Sequence, residues 1–229
     1  MLKDWSNVII PEEEEINERL EKARNKLVQQ QILIMQKKLP VLVSFDGWGA
    51  AGKGSILGKI IKNIDPRFFK VAVMDKPTED EKRRPFLYRY VINIPEAGKF
   101  TFMDGGCLDE VTKQKLSGKI TDEEYKRKIE SVKRFERQLS DNGYLVIKFF
   151  FHIGEQEQRK RLTRLLDDKN TRWRVSEYDL WQNQHYKKSL KAFDQFIDDT
   201  SQSIAPWYIV DATDKKWAQL QILETLVQA

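Results

Sequence analysis

Residues 41–60, VLVSFDGWGAAGKGSILGKI, constrain the fold more than any other stretch of the chain. An apolar run, VLVSF, has the length and composition of a strand buried on both faces. A glycine-rich turn follows at once, and SILGKIIKNI after it places Ile56, Ile60 and Ile64 on one helical face. The turn reads Gly47, four residues, Gly52, Lys53. Glycines there let backbone N–H groups turn toward an anion with no Cβ in the way, and a helix N-terminus adds its unpaired N–H groups and positive dipole end. The turn is therefore read as a phosphate-binding loop of the Walker A kind, with Lys53 reaching the outer phosphates. A tight strand-to-helix turn is the alternative. Gly54 stands where such loops usually carry the Ser or Thr that helps hold magnesium.

The rest of the chain repeats this alternation. Pro11 and the acids Glu12 to Glu15 suit a helix start, and Ile16, Leu20, Ala23 and Leu27 carry the helix to about Lys38, before Pro40. FFKVAVM, GKFTFMD, YLVIKFFFHI and PWYIVDA read as further strands. Helices are expected over TEDEKRRPFLYRYVINI (interrupted near Pro85), over about 121–142, from about Glu155, over about 180–201 and through DKKWAQLQILETLV. Strands apolar throughout, alternating with helices, predict an α/β fold with a parallel sheet of about five strands and helices on both faces. Residues 1–39 are read as a helical extension packed on a domain spanning 40–229, since no repeat, linker or composition break divides the remainder.

Charge and cysteine content exclude some classes. With 40 Lys+Arg against 35 Asp+Glu, the surplus of +5 is too mild to argue for nucleic acid. One cysteine, Cys107, allows no internal disulfide and fits a reducing compartment. No run approaches the roughly 18 apolar residues that span a bilayer, and the N-terminal residues lack the layout of a secretory signal. A cytoplasmic protein without a membrane partner is expected.

Two further features carry chemistry. The strand KFTFMD ends on Asp104, and a carboxylate at the end of a strand neighbouring such a loop is placed to hold Mg2+. The motif DGG is also good turn chemistry, which leaves a turn carboxylate as the alternative. Residues 159–174 hold seven basic residues and two acidic ones. Arg161 and Arg164, three apart on a helix, share a face, while Arg172 and Arg174 flank Trp173. This segment reads as a lid of about 155–180 closing over phosphates, or else as a solvated basic face.

GWGAAGKGS, KPTEDEKRRPFLYRY, EQEQRKRLTRLLDDKNTRWRVSEYDLW and SIAPWYIVDATDK together resemble polyphosphate kinase family 2 in order and spacing, over roughly 40–229. The chain resembles most a degenerate half of the family's two-domain polyphosphate:AMP phosphotransferases. The resemblance implies a P-loop kinase core with a helical lid, and phosphoryl transfer between inorganic polyphosphate and a nucleotide, AMP or ADP, with Mg2+. It puts Gly47, Gly52, Gly54 and Ser55 at the phosphates and Lys53, Asp104, Arg161 and Arg164 in catalysis, with Asp104 on the metal. Lys76, Arg84 and Arg89 fall in a stretch that lines the nucleotide and phosphate path, and Arg172 and Arg174 fall in the lid. The family also carries glycine at the position of Gly54. A homo-oligomer, or pairing with a homologous subunit, is implied as well.

The chain departs from that family at two places. The loop usually reads Gly-x-Asp-Ala-Ala-Gly-Lys-Gly, and here Gly49 takes the Asp position; the strand carboxylate is usually followed by Arg, and here Gly105 follows Asp104. Asp46, one residue before the loop, is expected to face away from the phosphates. Losing a positive charge beside a transferring phosphate costs about 10³ to 10⁵-fold in related reactions. Three functions stay open: the phosphotransferase, a catalytically impaired binding or regulatory module of the same fold, and a nucleoside monophosphate kinase using ATP.

Overall fold

The computed structural model describes Leu2 and residues 10–229. Apart from Leu2, the N-terminal residues read for a targeting signal (1–9) lie outside that set. Among the described residues, five strands form one sheet: β1 (Val41–Gly47), β2 (Phe69–Val73), β3 (Phe100–Asp104), β4 (Leu145–His152) and β5 (Trp207–Asp211). The order is β2-β3-β1-β4-β5, and every pair is parallel, as the uninterrupted apolar runs predict. Phe45 at the centre stacks on Phe149 at 5.6 Å and on Phe102 at 6.2 Å, so aromatic rings from three adjacent strands form one layer.

Helices cover both faces. On one, α1 (Glu13–Gln36), α2 (Lys53–Ile61) and α10 (Lys215–Gln228) pack together. The buried residues of α1 are Ile16, Leu20, Ala23, Leu27 and Gln31, the predicted helical stripe carried one step further. Arg19 of α1 forks onto Glu224 of α10 at 2.9 and 2.8 Å, and Gln30 donates to the Val227 carbonyl. The other face carries α5 (Cys107–Leu116), α6 (Asp122–Asp141) and α9 (Tyr186–Thr200). Because α2 leaves β1 toward one face and α5 leaves β3 toward the other, a crevice opens at the carboxyl ends of these two neighbouring strands.

Several elements differ from the sequence expectation. The helix α5 follows directly on the glycine pair that looks like a turn; Gly106 is its extended N-cap. The interrupted helix near Pro85 is two single turns, α3 (Glu79–Lys82) and α4 (Tyr88–Val91), because proline disfavours helix at the preceding residue. The helix expected over about 180–201 begins earlier and breaks. Ser176 and Asp179 form a capping box that starts α8 (Glu177–Gln184), and His185 then leaves helical geometry before α9. The break seats Tyr186 in the core, where its ring stacks on Trp48 at 4.1 Å and its hydroxyl donates to the Ile153 carbonyl.

Candidate active site

The loop after β1 is locked by a backbone close approach. Gly47 has φ +134°, and a Cβ there would lie 2.4 Å from the Phe151 carbonyl oxygen, so only glycine fits. Trp48 fixes the next residue. It is fully buried between Tyr186 and Phe193, donates its indole N–H to His152 Nδ1 at 3.2 Å, and gives its backbone N–H to the Phe151 carbonyl. A tryptophan inside a glycine loop was the available sign of this anchor. Gly52, at φ +95°, then turns the chain into α2, whose first-turn N–H groups have no side-chain cap.

Lys53 opens α2 and folds back across the loop, donating to the carbonyls of Gly47 (3.0 Å) and Trp48 (3.1 Å). Its charge acts on Asp46, Asp104 and Asp109. Gly54 has a local reason: a Cβ there would sit 3.3 Å from Asp104 Oδ2. The glycine admits the strand carboxylate to the start of the helix. Ser55 is exposed. Burial raises the Asp104 carboxyl above its ordinary range against the opposing charge of Lys53, with Asp75 adding to the rise.

Asp46 does not simply turn its back on this group. It is buried, accepts from the Gly106 N–H at 3.0 Å, and pins the turn between β3 and α5. Burial, with the Asp109 carboxylate adding to it, pushes its carboxyl up to about 7 while Lys53 opposes the shift. Gly105 follows Asp104 at φ +95°, a conformation that disfavours the arginine that the family resemblance leads one to expect there.

A cleft of about 1150 Å³ opens between the ends of β2 and β3, α5 and the start of α8, and none of residues 47–55 lines it. Lys76 and Arg89 line it, with Asp109, Lys113, Tyr178 and Trp181. Arg89 is buried and donates to the Asp75 carbonyl at 2.6 Å; its Nε lies 3.9 Å from Glu81 Oε1, with Glu110 also near, and makes no hydrogen bond among the described residues. Arg84 does not line the cleft. It is exposed, bonded to Asp80 one turn away, with its guanidinium 4.7 Å from the Tyr88 ring.

The four lid arginines separate into two kinds. Arg161, on α7 (Glu155–Asp167), donates to Glu157, to the carbonyls of Ala50 and Ala51, and to those of Ala212 and Thr213. These contacts occupy all five guanidinium N–H groups, so Arg161 braces the loop where a catalytic charge was expected. Arg164, Arg172 and Arg174 are exposed. Among the described residues Arg164 makes no hydrogen bond or ion pair, and Arg174 lies over the exposed Trp173 ring at 5.3 Å. Helices α7 and α8, in the segment expected to form a lid, are fastened to the loop by polar residues the sequence reading passed over. Gly49 N–H donates to Gln182 of α8, Gln158 of α7 donates to the Gly49 carbonyl, and Asn183 donates to Gln158.

Comparison with known proteins agrees with this geometry. The family model for polyphosphate kinase 2 matches residues 11–229. A polyphosphate:AMP phosphotransferase of Pseudomonas syringae pv. tomato is 32% identical over 193 residues, 84% of this chain and 39% of that protein. An ADP-polyphosphate phosphotransferase of Pseudomonas aeruginosa is 29% identical over 205 residues, 90% of this chain and 67% of the relative. A crystal structure of a polyphosphate kinase 2 from Pseudomonas aeruginosa PA01 superposes with TM-score 0.92 at 27% identity, covering 100% of this chain and 49% of that one. One from Arthrobacter aurescens TC1 gives TM-score 0.82 at 27% identity, covering 93% and 75%. The chain thus spans between about two fifths and three quarters of the length of these relatives.

Proposed function

This chain belongs to the polyphosphate kinase 2 family, and on that premise we propose that it transfers a phosphoryl group between inorganic polyphosphate and a nucleotide, AMP or ADP. The observation that carries the reading is a locked glycine loop whose Lys53 charge acts on the Asp104 carboxylate, which ends the neighbouring strand β3 and abuts Gly54. In the transfer, an oxygen of the nucleotide's terminal phosphate bonds to the end phosphorus of polyphosphate. The bridging P–O bond to the shortened chain breaks, and its electron pair stays on that chain. Lys53 and the α2 N–H groups offset charge on the phosphates, and Arg164, Arg172 and Arg174 are available to close over them. Lys76 and Arg89 line the path of the acceptor.

The donor set suits Mg2+, which takes few protein carboxylates and completes its shell with phosphate oxygens and water. Asp104 is the residue to hold it, and Gly54 leaves that carboxylate room beside the loop. When bound, the ion would neutralise charge on the reacting phosphates. We treat 1–39 as an extension packed on the kinase-like domain 40–229, with the lid at about 155–180. Association with a second copy, or with a homologous subunit, belongs to this reading; the exposed apolar Val28, Ile32 and Leu33 of α1 support it, and light scattering tests it. Among the described residues no helix is long and apolar enough to cross a membrane, and a cytoplasmic location fits the lone cysteine.

A second reading, a module that binds polyphosphate or nucleotide without turning it over, is favoured by Gly49 and Gly105, where the loop and strand-end pattern that the sequence resembles would place Asp and Arg. Lys53→Ala addresses the feature common to both. It is expected to remove tripolyphosphate binding measured by calorimetry, and unchanged binding would overturn the phosphate site itself. Turnover of polyphosphate with AMP or ADP and Mg2+ separates the two readings.

A further inference from the structure

The helix α8 is packed the wrong way round for its composition. Its buried residues are the amides Gln182 and Asn183, while Tyr178 and Trp181 stay half-buried and border the cleft. Aromatic side chains ordinarily supply the buried face of a helix and amides the outer one. We propose that Tyr178 and Trp181 receive the base of the acceptor nucleotide, so that the acceptor lies in the cleft with its base against α8 and its phosphate toward Asp104. This rests on the phosphoryl-transfer reading and says which residues set its choice of acceptor.

Both rings are held in place by the protein. Lys113 of α5 lies over the Tyr178 ring, 4.2 Å from its centre. Tyr178 and Trp181 are parallel within 9°, with centroids 5.8 Å apart, and Trp181 stacks on His185 at 4.5 Å. The helix itself is seated on the loop: Gly49 N–H donates to Gln182, and a Cβ at Gly49 would come within 2.2 Å of Asp179 Oδ1. With Lys113 at one end of the row of rings and His185 at the other, the ring edges are left to the cleft. An aromatic edge carries partial positive charge and takes the negative face of a second ring in T-shaped contact.

The walls of the cleft sort the two substrates. Polyphosphate has neither apolar surface nor a π-system, so an aromatic wall offers it nothing; a nucleotide base has both. The cations stand elsewhere. Val73 of β2 is paired with Asp104 of β3, and Lys76 follows three residues on, with Arg89 of α4 on the same cleft. Gly105, next after Asp104, borders it too. A phosphate held by Lys76 and Arg89 therefore lies at the strand ends, and the base extends to α8. Ring contact grows with ring area, so purines are expected to bind more tightly than pyrimidines.

Calorimetry on the full chain tests this with AMP, CMP and ribose 5-phosphate. AMP is expected to bind about tenfold more tightly than ribose 5-phosphate, which has the phosphate and no base, with CMP between them. Tyr178→Leu/Trp181→Leu keeps apolar bulk on α8 and removes both rings. It is expected to bring AMP down to the level of ribose 5-phosphate and to leave tripolyphosphate binding unchanged. Equal binding of AMP and ribose 5-phosphate by the wild type, no binding of either, or an AMP preference that survives the double change overturns the inference. These arms need no turnover. A chain that prefers AMP and transfers no phosphoryl group contradicts the proposed function and keeps the base site. One that phosphorylates AMP and ribose 5-phosphate with equal kcat/KM keeps the function and loses the base site.

Discussion

The loop and the lid meet at Gly49, and they are built on opposite plans. Three loop residues are each fixed by something a substitution would disturb: Gly47 by the Phe151 backbone, Trp48 by two rings and His152, and Gly54 by the Asp104 carboxylate. The lid is fixed at its base and unengaged at its tip. Arg161 spends all five donors on Glu157 and four carbonyls, and Gln158 and Gln182 grip Gly49, whereas Arg164, Arg172 and Arg174 stay exposed. The contrast teaches that arginines of one lid segment are not equivalent. A guanidinium saturated by carbonyls holds geometry, and only one with donors to spare can answer a change in phosphate charge.

The harshest way to break the comparison is at Gly47. Gly47→Ala forces a Cβ into the Phe151 backbone at positive φ, and is expected to cost more than about 3 kcal/mol in denaturant unfolding. An unchanged midpoint would mean that the loop is not locked. Next in size is the contrast between the two arginines. Arg161→Ala leaves four carbonyls short of a donor and is expected to lose about 2 kcal/mol of stability. Arg164→Ala is expected to leave Tm in place and lower kcat/KM about tenfold, as removal of a phosphate-facing charge does. If the pattern is reversed, the division of the lid into brace and tip is wrong.

The smallest expected effect is a pH dependence. Burial, with Asp109 adding to it, raises the folded Asp46 carboxyl to about 7 from an ordinary value of 3.8. Between these values the folded state holds the extra proton, so stability falls as pH rises through that window. Asp46→Asn removes the titration while keeping an acceptor for Gly106. Its Tm advantage over wild type is expected to grow from pH 5 to pH 8, and a constant difference would place Asp46 outside the charge network.

The strands and the loop were legible in the sequence because buried parallel strands are apolar throughout and glycine spacing has a steric cause. The long-range partners were not. That Gly54 answers to Asp104, 50 residues on, or Gly49 to Asp179, 130 residues on, is a matter of which side chains the fold brings together. A charge count over 159–174 locates the lid without telling Arg161 from Arg164, since both lie on one helix and only the carbonyls facing one of them differ. The Ser176-x-x-Asp179 capping box was present in the sequence, and it marks the start of α8, the helix that reaches Gly49. The helix α5 stayed hidden because two glycines before it are as good a turn signal as an N-cap.

The account stands or falls on turnover. Purified full-length chain, given polyphosphate, Mg2+ and AMP or ADP, is predicted to form the next higher nucleotide phosphate at a rate that Lys53→Ala abolishes. No product above the Lys53→Ala background, from protein that still binds tripolyphosphate, would contradict it and leave a phosphate-binding module in its place.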